Sequence, residues 1–308
     1  MAAAIAALDE RHQPIAVEDV LDPNNYVLGR VYSHNVVIAC LPAGIYGTNA
    51  AARVANDMLR TFQGLRIGLM VGIGGGIPDL GEGIDIRLGD VVISQPDKTF
   101  GGVIQYDLGS NRGEGRFERK GFLKSPPTLL LSALSTLQAE HELNDSTVPE
   151  ILEDMVTTYP KLLKTGYRYP GDEYDTLYCS LCDGSISSGL CDSCKDGRID
   201  RPIREDKSPL FWYGIIASGN QVIKDAAERN KIGHEFGAMC VEMEAAGLMN
   251  DFPCIVIRGI CDYADRGKND AWQKYAALVA AAYAKELLGY ISPQQTSMEK
   301  PIQDIVGK

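Results

Sequence analysis

Residues 241–247 read VEMEAAG, which places Glu242 and Glu244 inside a run that is otherwise apolar. A carboxylate removed from water is costly unless something satisfies it. An ion pair would do so, as would a helix first turn that welcomes negative charge. A ligand donating its own hydroxyl groups would serve equally well. Further on, Asp262 closes the run CIVIRGIC, where an aspartate can be buried and proton-bearing, fit for general acid work. It can equally cap the loop that follows. Asn220, in ASGNQVIKD, reads either as a ligand contact or as a helix N-cap. GIGGGIP (72–78) sits where a buried strand stops, and its glycines allow backbone to approach a ligand closely. Its spacing is not the dinucleotide fingerprint, and neither the Walker lysine nor its Ser/Thr follows.

Four cysteines, Cys179, Cys182, Cys191 and Cys194, spell C-x2-C-x8-C-x2-C. Paired thiolates of this kind suit a tetrahedral structural zinc, although the middle spacing is shorter than in the usual fingers. Reduced thiols on a loop are the alternative. No His–Asp pair accompanies them, so they are not read as catalytic. Cys40, Cys240, Cys254 and Cys261 lie in strand-like runs and read as small buried hydrophobes.

The elements that must position these groups follow from hydrophobic pattern. Strands are expected at 36–41, 67–73, 90–94, 211–218, 238–243 and 254–260. Helices are expected at 48–62, in a short AAGLMNDF, and over 269–291. Continuous apolar strands alternating with helices predict one α/β domain, with a mixed, largely parallel central sheet covered on both faces. The domain is read as 1–292, carrying a polar, cysteine-bearing insertion at about 142–208 on the sheet edge, with 293–308 as a tail. In that frame the glycines, Asn220, Glu244 and Asp262 arrive at strand ends along one edge of the sheet, where open α/β sheets bind ligands.

The net charge of −11 repels phosphate backbones, so nucleic acid is not an expected partner. No apolar run is long enough to span a membrane. The N-terminus reads as a helix lacking a basic leader, so a cytoplasmic protein is expected. Lys224, Arg266 and Lys268 flank strand ends as solvated surface or as partners of a 5′-phosphate, and the four histidines carry no assigned task.

Taken together, HNVVIACLPAGIYGTNAAARVA (34–55), LMVGIGGGIP (69–78), DIRLGDVVIS (85–94), IASGNQVIKD (216–225), VEMEAAG and RGICDYAD (258–265) resemble the nucleoside phosphorylase and nucleosidase superfamily. This group includes purine nucleoside phosphorylase and methylthioadenosine/S-adenosylhomocysteine nucleosidase. The resemblance runs in family order over roughly 26–290. The fuller run is similar to fungal members that form N-terminal domains of NLR-like proteins, and related immune effector domains cleave ATP to adenine and ribose triphosphate.

The resemblance implies tasks for individual residues. Glu244 would accept hydrogen bonds from the ribose 2′- and 3′-hydroxyls, with Met243 against the sugar. Asp262 would donate a proton to N7 of a purine. Gly74 and Gly75 would line the site with Asn220, while Val222 and Ile223 would line the base pocket. It implies catalysis without a cofactor, a purine nucleoside or nucleotide as ligand, and a homo-oligomer. Phosphorylases of the hexameric type grip phosphate with an arginine and a serine where this chain has Met70 and Ile73, which favours water as nucleophile over phosphorolysis. The family also opens with a strand whose end supplies a glutamate that orients this water. The chain as written begins at the following helix, with Glu10 and Glu18 as nearby acids that nothing in the spacing promotes. Slow turnover, or a ligand-binding and signalling module, is the expectation from that difference.

Overall fold

The computed structural model describes residues 1–15, 21–113, 117–180 and 197–306. In chain order the helices and strands are α1 (Ala2–Ala6), β1 (Glu10–Arg11), β2 (Val27–Val31), β3 (His34–Ile38), α2 (Thr48–Thr61), β4 (Gly68–Gly76), β5 (Val91–Ser94), β6 (Val103–Gln105), β7 (Gly109–Asn111), β8 (Phe117–Arg119), α3 (Thr128–Leu143), α4 (Val148–Thr158), α5 (Lys161–Lys164), β9 (Phe211–Ser218), α6 (Ala226–Phe236), β10 (Ala238–Glu242), β11 (Cys254–Asp262), α7 (Gln273–Gly289), α8 (Pro293–Met298) and α9 (Ile302–Val306). AAGLMNDF, expected as a short helix, supplies only a 3₁₀ turn at Ala245–Gly247.

Six strands form one sheet in the order β10–β4–β11–β5–β9–β6, and β10 also pairs with β9. Five of them therefore close into a ring. β9 makes this closure by dividing its length: Phe211–Gly214 pair with β5, and Ile215–Ser218 pair with β10. The sheet is mixed, as expected: β4 and β11 run parallel to each other, but β11 is antiparallel to β5 and β4 antiparallel to β10. The short strands β1, β2 and β3 form a separate antiparallel sheet. A groove of about 640 Å³ lies between β3 and the first half of β4.

Alternation along the strands sends side chains into two cores. Ile255 and Ile257 of β11 join Val91 and Ile93 of β5 under α7, α1, α3 and α4. Cys254 and Val256 face the other way, with Val92, toward α2. α2 meets them with Ala51, Ala55, Met58 and Leu59, whose spacing is one helical face. α7 is buried almost all round, which its alanine-rich sequence permits at close helix–sheet approach.

Three expectations are corrected. The stretch that reads as a polar edge insertion begins with α4, which buries Val148, Ile151 and Met155 against the core. The stretch that reads as a tail folds back: Ile302 is 1% exposed and its amide donates to the Leu65 carbonyl. Cys40 is exposed, because β3 ends at Ile38. Of the cysteine cluster only Cys179 falls within the described residues, and it is buried. Cys182, Cys191 and Cys194 lie outside them. Among the described residues no group of three or more His, Cys, Asp or Glu side chains could hold a metal ion, and no helix is long and apolar enough to cross a membrane.

Candidate active site

The two glutamates of VEMEAAG do different work. Glu242, the last residue of β10, is buried and accepts from the backbone amides of Glu244 and Ala245, both at 3.1 Å. It thereby fixes the turn that follows the strand. It also forms an ion pair with Arg258 of β11, and the same guanidinium nitrogen reaches Glu244 Oε2 at 3.2 Å. Both readings of the motif thus have a residue: Glu242 has the satisfied ion pair, while Glu244 is held by its edge.

Arg258 belongs to an otherwise apolar strand and is 3% exposed. Burial works against its charge, but Glu242 and then Glu244 hold the guanidinium above its ordinary range. Glu244 is pushed above the usual carboxylate range by burial, with Arg258 and the Gly47 amide pulling the other way. Its side chain keeps 16% exposure, and it lines the groove between β3 and β4 together with Arg258. An exposed edge on a held carboxylate suits it to accept hydrogen bonds from hydroxyl groups.

Asp262 ends β11 and is 3% exposed. Its Oδ1 accepts from the Ala264 amide at 2.8 Å, and its Oδ2 lies 2.9 Å from Lys268 Nζ. Lys268, which reads from sequence as solvated surface, is exposed, yet its ammonium pairs with this buried carboxyl group.

The glycines are strand, not a turn beyond it, since β4 continues to Gly76. Val241 of β10 and Asp262 of β11 both pair with Gly75, one on each side. A Cβ at Gly75 would come within 2.9 Å of the Ala264 Cβ and 3.0 Å of Asp262 Oδ1. A Cβ at Gly74 would overlap the Cys240 sulfur. The expectation of a single sheet edge gathering every strand end is therefore corrected. β4 and β11 run opposite to β9 and β10, and the site forms where β10 and β11 flank the glycines of β4.

Asn220 is a tether. Its Oδ1 accepts from the Thr48 hydroxyl at 2.9 Å and the Thr48 amide at 3.3 Å, capping α2 from a distant part of the chain. Its own amide donates to Asp107 at 2.7 Å. So Asn220 caps a helix, as the bland reading has it, but the helix is not the one that follows it. Ile223 is buried in a cluster with Ile77, Ile104 and Tyr106, whereas Val222 is exposed. Met243, between the two glutamates, is half-buried. A second cavity, lined by Arg201 and Arg204, lies apart. Its cations are already paired, Arg201 with Asp85 and Asp175 and Arg204 with Asp90.

Arg258 was legible but unread. A lone arginine in CIVIRGI needs a buried carboxylate partner, and VEMEAAG offered two.

The model of the phosphorylase superfamily matches residues 4–291 of this chain. The chain belongs to the phosphorylase superfamily. It is 50% identical over 296 residues to a nucleotide-binding leucine-rich repeat (NLR)-like protein of Hyaloscypha variabilis, covering 96% of this chain and 28% of that protein. This phosphorylase-superfamily chain thus spans little more than a quarter of that relative's length. It is 33% identical over 87 residues to the 5′-methylthioadenosine/S-adenosylhomocysteine nucleosidase of Mycobacterium bovis, which is 27% of this chain and 34% of that enzyme. The solved futalosine hydrolase of Helicobacter pylori shares the superfamily fold, with a TM-score of 0.57 at 17% identity, over 93% of this chain and 91% of that one.

Proposed function

We propose that this domain hydrolyses the N-glycosidic bond of a purine nucleoside or nucleotide and releases the free base. The observation that carries the reading is that Glu244, two residues beyond the end of β10, and Asp262, the last residue of β11, follow the two strands that flank the β4 glycines. Breaking that bond leaves positive charge on the sugar and negative charge on the base. Glu244 accepts from the ribose hydroxyls at the first end, with Met243 beside the sugar. Asp262 meets the base at the second, so each group acts where charge develops. Gly74 and Gly75 let β10 and Asp262 close against β4, and Ile223 anchors the wall from which Val222 projects. The scheme draws on no cofactor.

Water is favoured over phosphate as nucleophile. The positions that would grip phosphate are Met70 and Ile73, and the Met70 sulfur lies 3.6 Å from Arg258 Nη2. The nucleosidase relative supports the same choice. Incubation with adenosine, methylthioadenosine, AMP and ATP should release adenine from at least one of them. Ribose 1-phosphate appearing on addition of phosphate would show phosphorolysis instead.

The NLR-like relative supports a second reading, a sensing module that binds purine ribosides and turns them over slowly. Calorimetric binding without release of base would identify it.

A further inference from the structure

The surroundings of Asp262 are unusual for a group that must give up a proton. Its Oδ1 accepts from the Ala264 amide, and its Oδ2 meets the Cys261 thiol at 3.3 Å and the Lys268 ammonium at 2.9 Å. Each of these neighbours is a donor. A carboxyl group that meets only donors has no acceptor for a proton of its own. The Lys268 ammonium thus brings a transferable proton within hydrogen-bond distance of Asp262 Oδ2.

Lys268 is aimed, not adrift. The loop after β11 is fastened by Asp265, which is 1% exposed and accepts from the Gly267 amide at 2.8 Å and the Tyr178 amide at 3.3 Å. Arg229 of α6 faces the same carboxylate at 3.5 Å. The Tyr178 ring fills the space where a Gly267 Cβ would stand. Burial alone would lower Lys268, but Asp262 outweighs it and holds the ammonium above its ordinary range, with Cys261 and Asp270 adding to the effect. Cys240 and Asp265 are the other ionisable groups that feel Asp262.

We infer that Lys268 is the proton reservoir of the site, a positioning residue that acts on the leaving base through Asp262. The inference rests on the N-glycosidic reading above. As the bond from C1′ to the base breaks, its electron pair leaves with the base. Asp262 passes a proton from Lys268 Nζ to N7 of the base, and the amine is left neutral. Water adds hydroxide to C1′ and releases one proton. The amine, its side chain 30% exposed, takes a proton back from solvent. One water is consumed, and the C–N bond is replaced by one C–O and one N–H bond.

The test compares Lys268→Met, Lys268→Arg, Lys268→Ala and Asp262→Asn on adenosine and on 4-nitrophenyl riboside, whose phenolate leaves without being protonated. Lys268→Met is expected to lower kcat for adenine release at least about tenfold, with KM changed by less than about threefold. Lys268→Arg should recover much of the rate, and methylammonium should restore adenine release to Lys268→Ala. Nitrophenolate release should fall much less than adenine release in the Lys268 variants, because that leaving group is owed no proton. Equal losses on both substrates would mark Lys268 as merely structural and overturn the inference. Full adenine release from Lys268→Met, with Asp262→Asn inactive, would overturn the inference alone. Unimpaired adenine release by Asp262→Asn would overturn Asp262 as the acid and the inference with it, whereas cleavage of neither riboside, with no base released from methylthioadenosine, AMP or ATP, would remove the N-glycosidic reading as well.

Discussion

Arg258 reaches Glu242, at the end of β10, and Glu244, just beyond it, by crossing β4 over Gly72. Arg258 and Gly72 are register partners on β11 and β4, and a Cβ at position 72 would overlap the guanidinium. The missing side chain is thus the passage by which a cation on one strand serves carboxylates two strands away. Gly72→Ala should displace Arg258 and cost about 1–3 kcal/mol of stability, as overpacking does. Riboside affinity should fall with it. Thermal melts and calorimetry on this variant check both, and unchanged values would mean that the arginine does not depend on this gap.

Removing the cation should be worse than obstructing it. Arg258→Met leaves Glu242 and Glu244 close together without their shared partner, and breaking a buried pair in this way costs about 3–5 kcal/mol. Adding Glu242→Gln to that variant should restore part of the loss, because the remaining carboxylate then faces no second charge. A double-mutant cycle by chemical denaturation measures this coupling. Additive losses would argue against it.

Glu244 should show opposite effects on stability and binding. Burial holds its carboxyl group above the ordinary value of 4.5, so folding favours the protonated form. That contribution is fully present below the ordinary value and is lost as pH rises through the raised one. At neutral pH the ionised side chain subtracts from the stability of the empty protein. Glu244→Gln is therefore expected to raise Tm at neutral pH, with the gain vanishing toward pH 4.5. The same variant should bind ribosides about 1.5–3 kcal/mol more weakly, having lost a charged acceptor. Equal binding of ribosides and 2′,3′-dideoxyribosides by the unmodified chain would falsify the assignment.

Asp262→Asn keeps the shape of the side chain and removes its capacity to carry a proton. Purine release should fall by about 10²–10⁴, and stability should fall as well, since the single amide oxygen can serve the Ala264 amide or Lys268 but not both, and the ion pair is lost. Steady-state kinetics on adenosine, beside a melt of the same sample, separates the two effects.

The elements of this fold were far more legible than their directions. FWYGIIAS and CIVIRGI read as strands because uninterrupted apolar residues have few other places to go, and β9 and β11 are there. An apolar strand reads the same whichever way it runs. Nothing in GIGGG or AMCVEM announces that β4 and β10 are antiparallel, so the picture of a common edge failed, although Gly75 and Asp262 do meet. Glu244 and Asp262 were visible as charges in apolar surroundings. Lys268 was not, because its contact depends on a loop whose path is set by Asp265 and by Tyr178, far away in sequence. In α4 and the C-terminal helices, a few buried residues such as Met155 and Ile302 outweigh polar neighbours that read as surface.

Among the described residues the small β1–β2–β3 sheet shares no ladder with the ring, and it is held by packing, by the helices and by side-chain bonds such as His34 Nε2 to the Ile291 carbonyl at 2.8 Å. Regions tied in this way open at lower free energy than a closed core. Amide protons of β2 and β3 should exchange with solvent deuterium well before those of β9 and β11. Glu244 lines the groove between the two sheets. Breathing of the small sheet would therefore widen and narrow the space beside the Glu244 carboxylate, and on the proposed function the rate at which ligands enter would follow that motion.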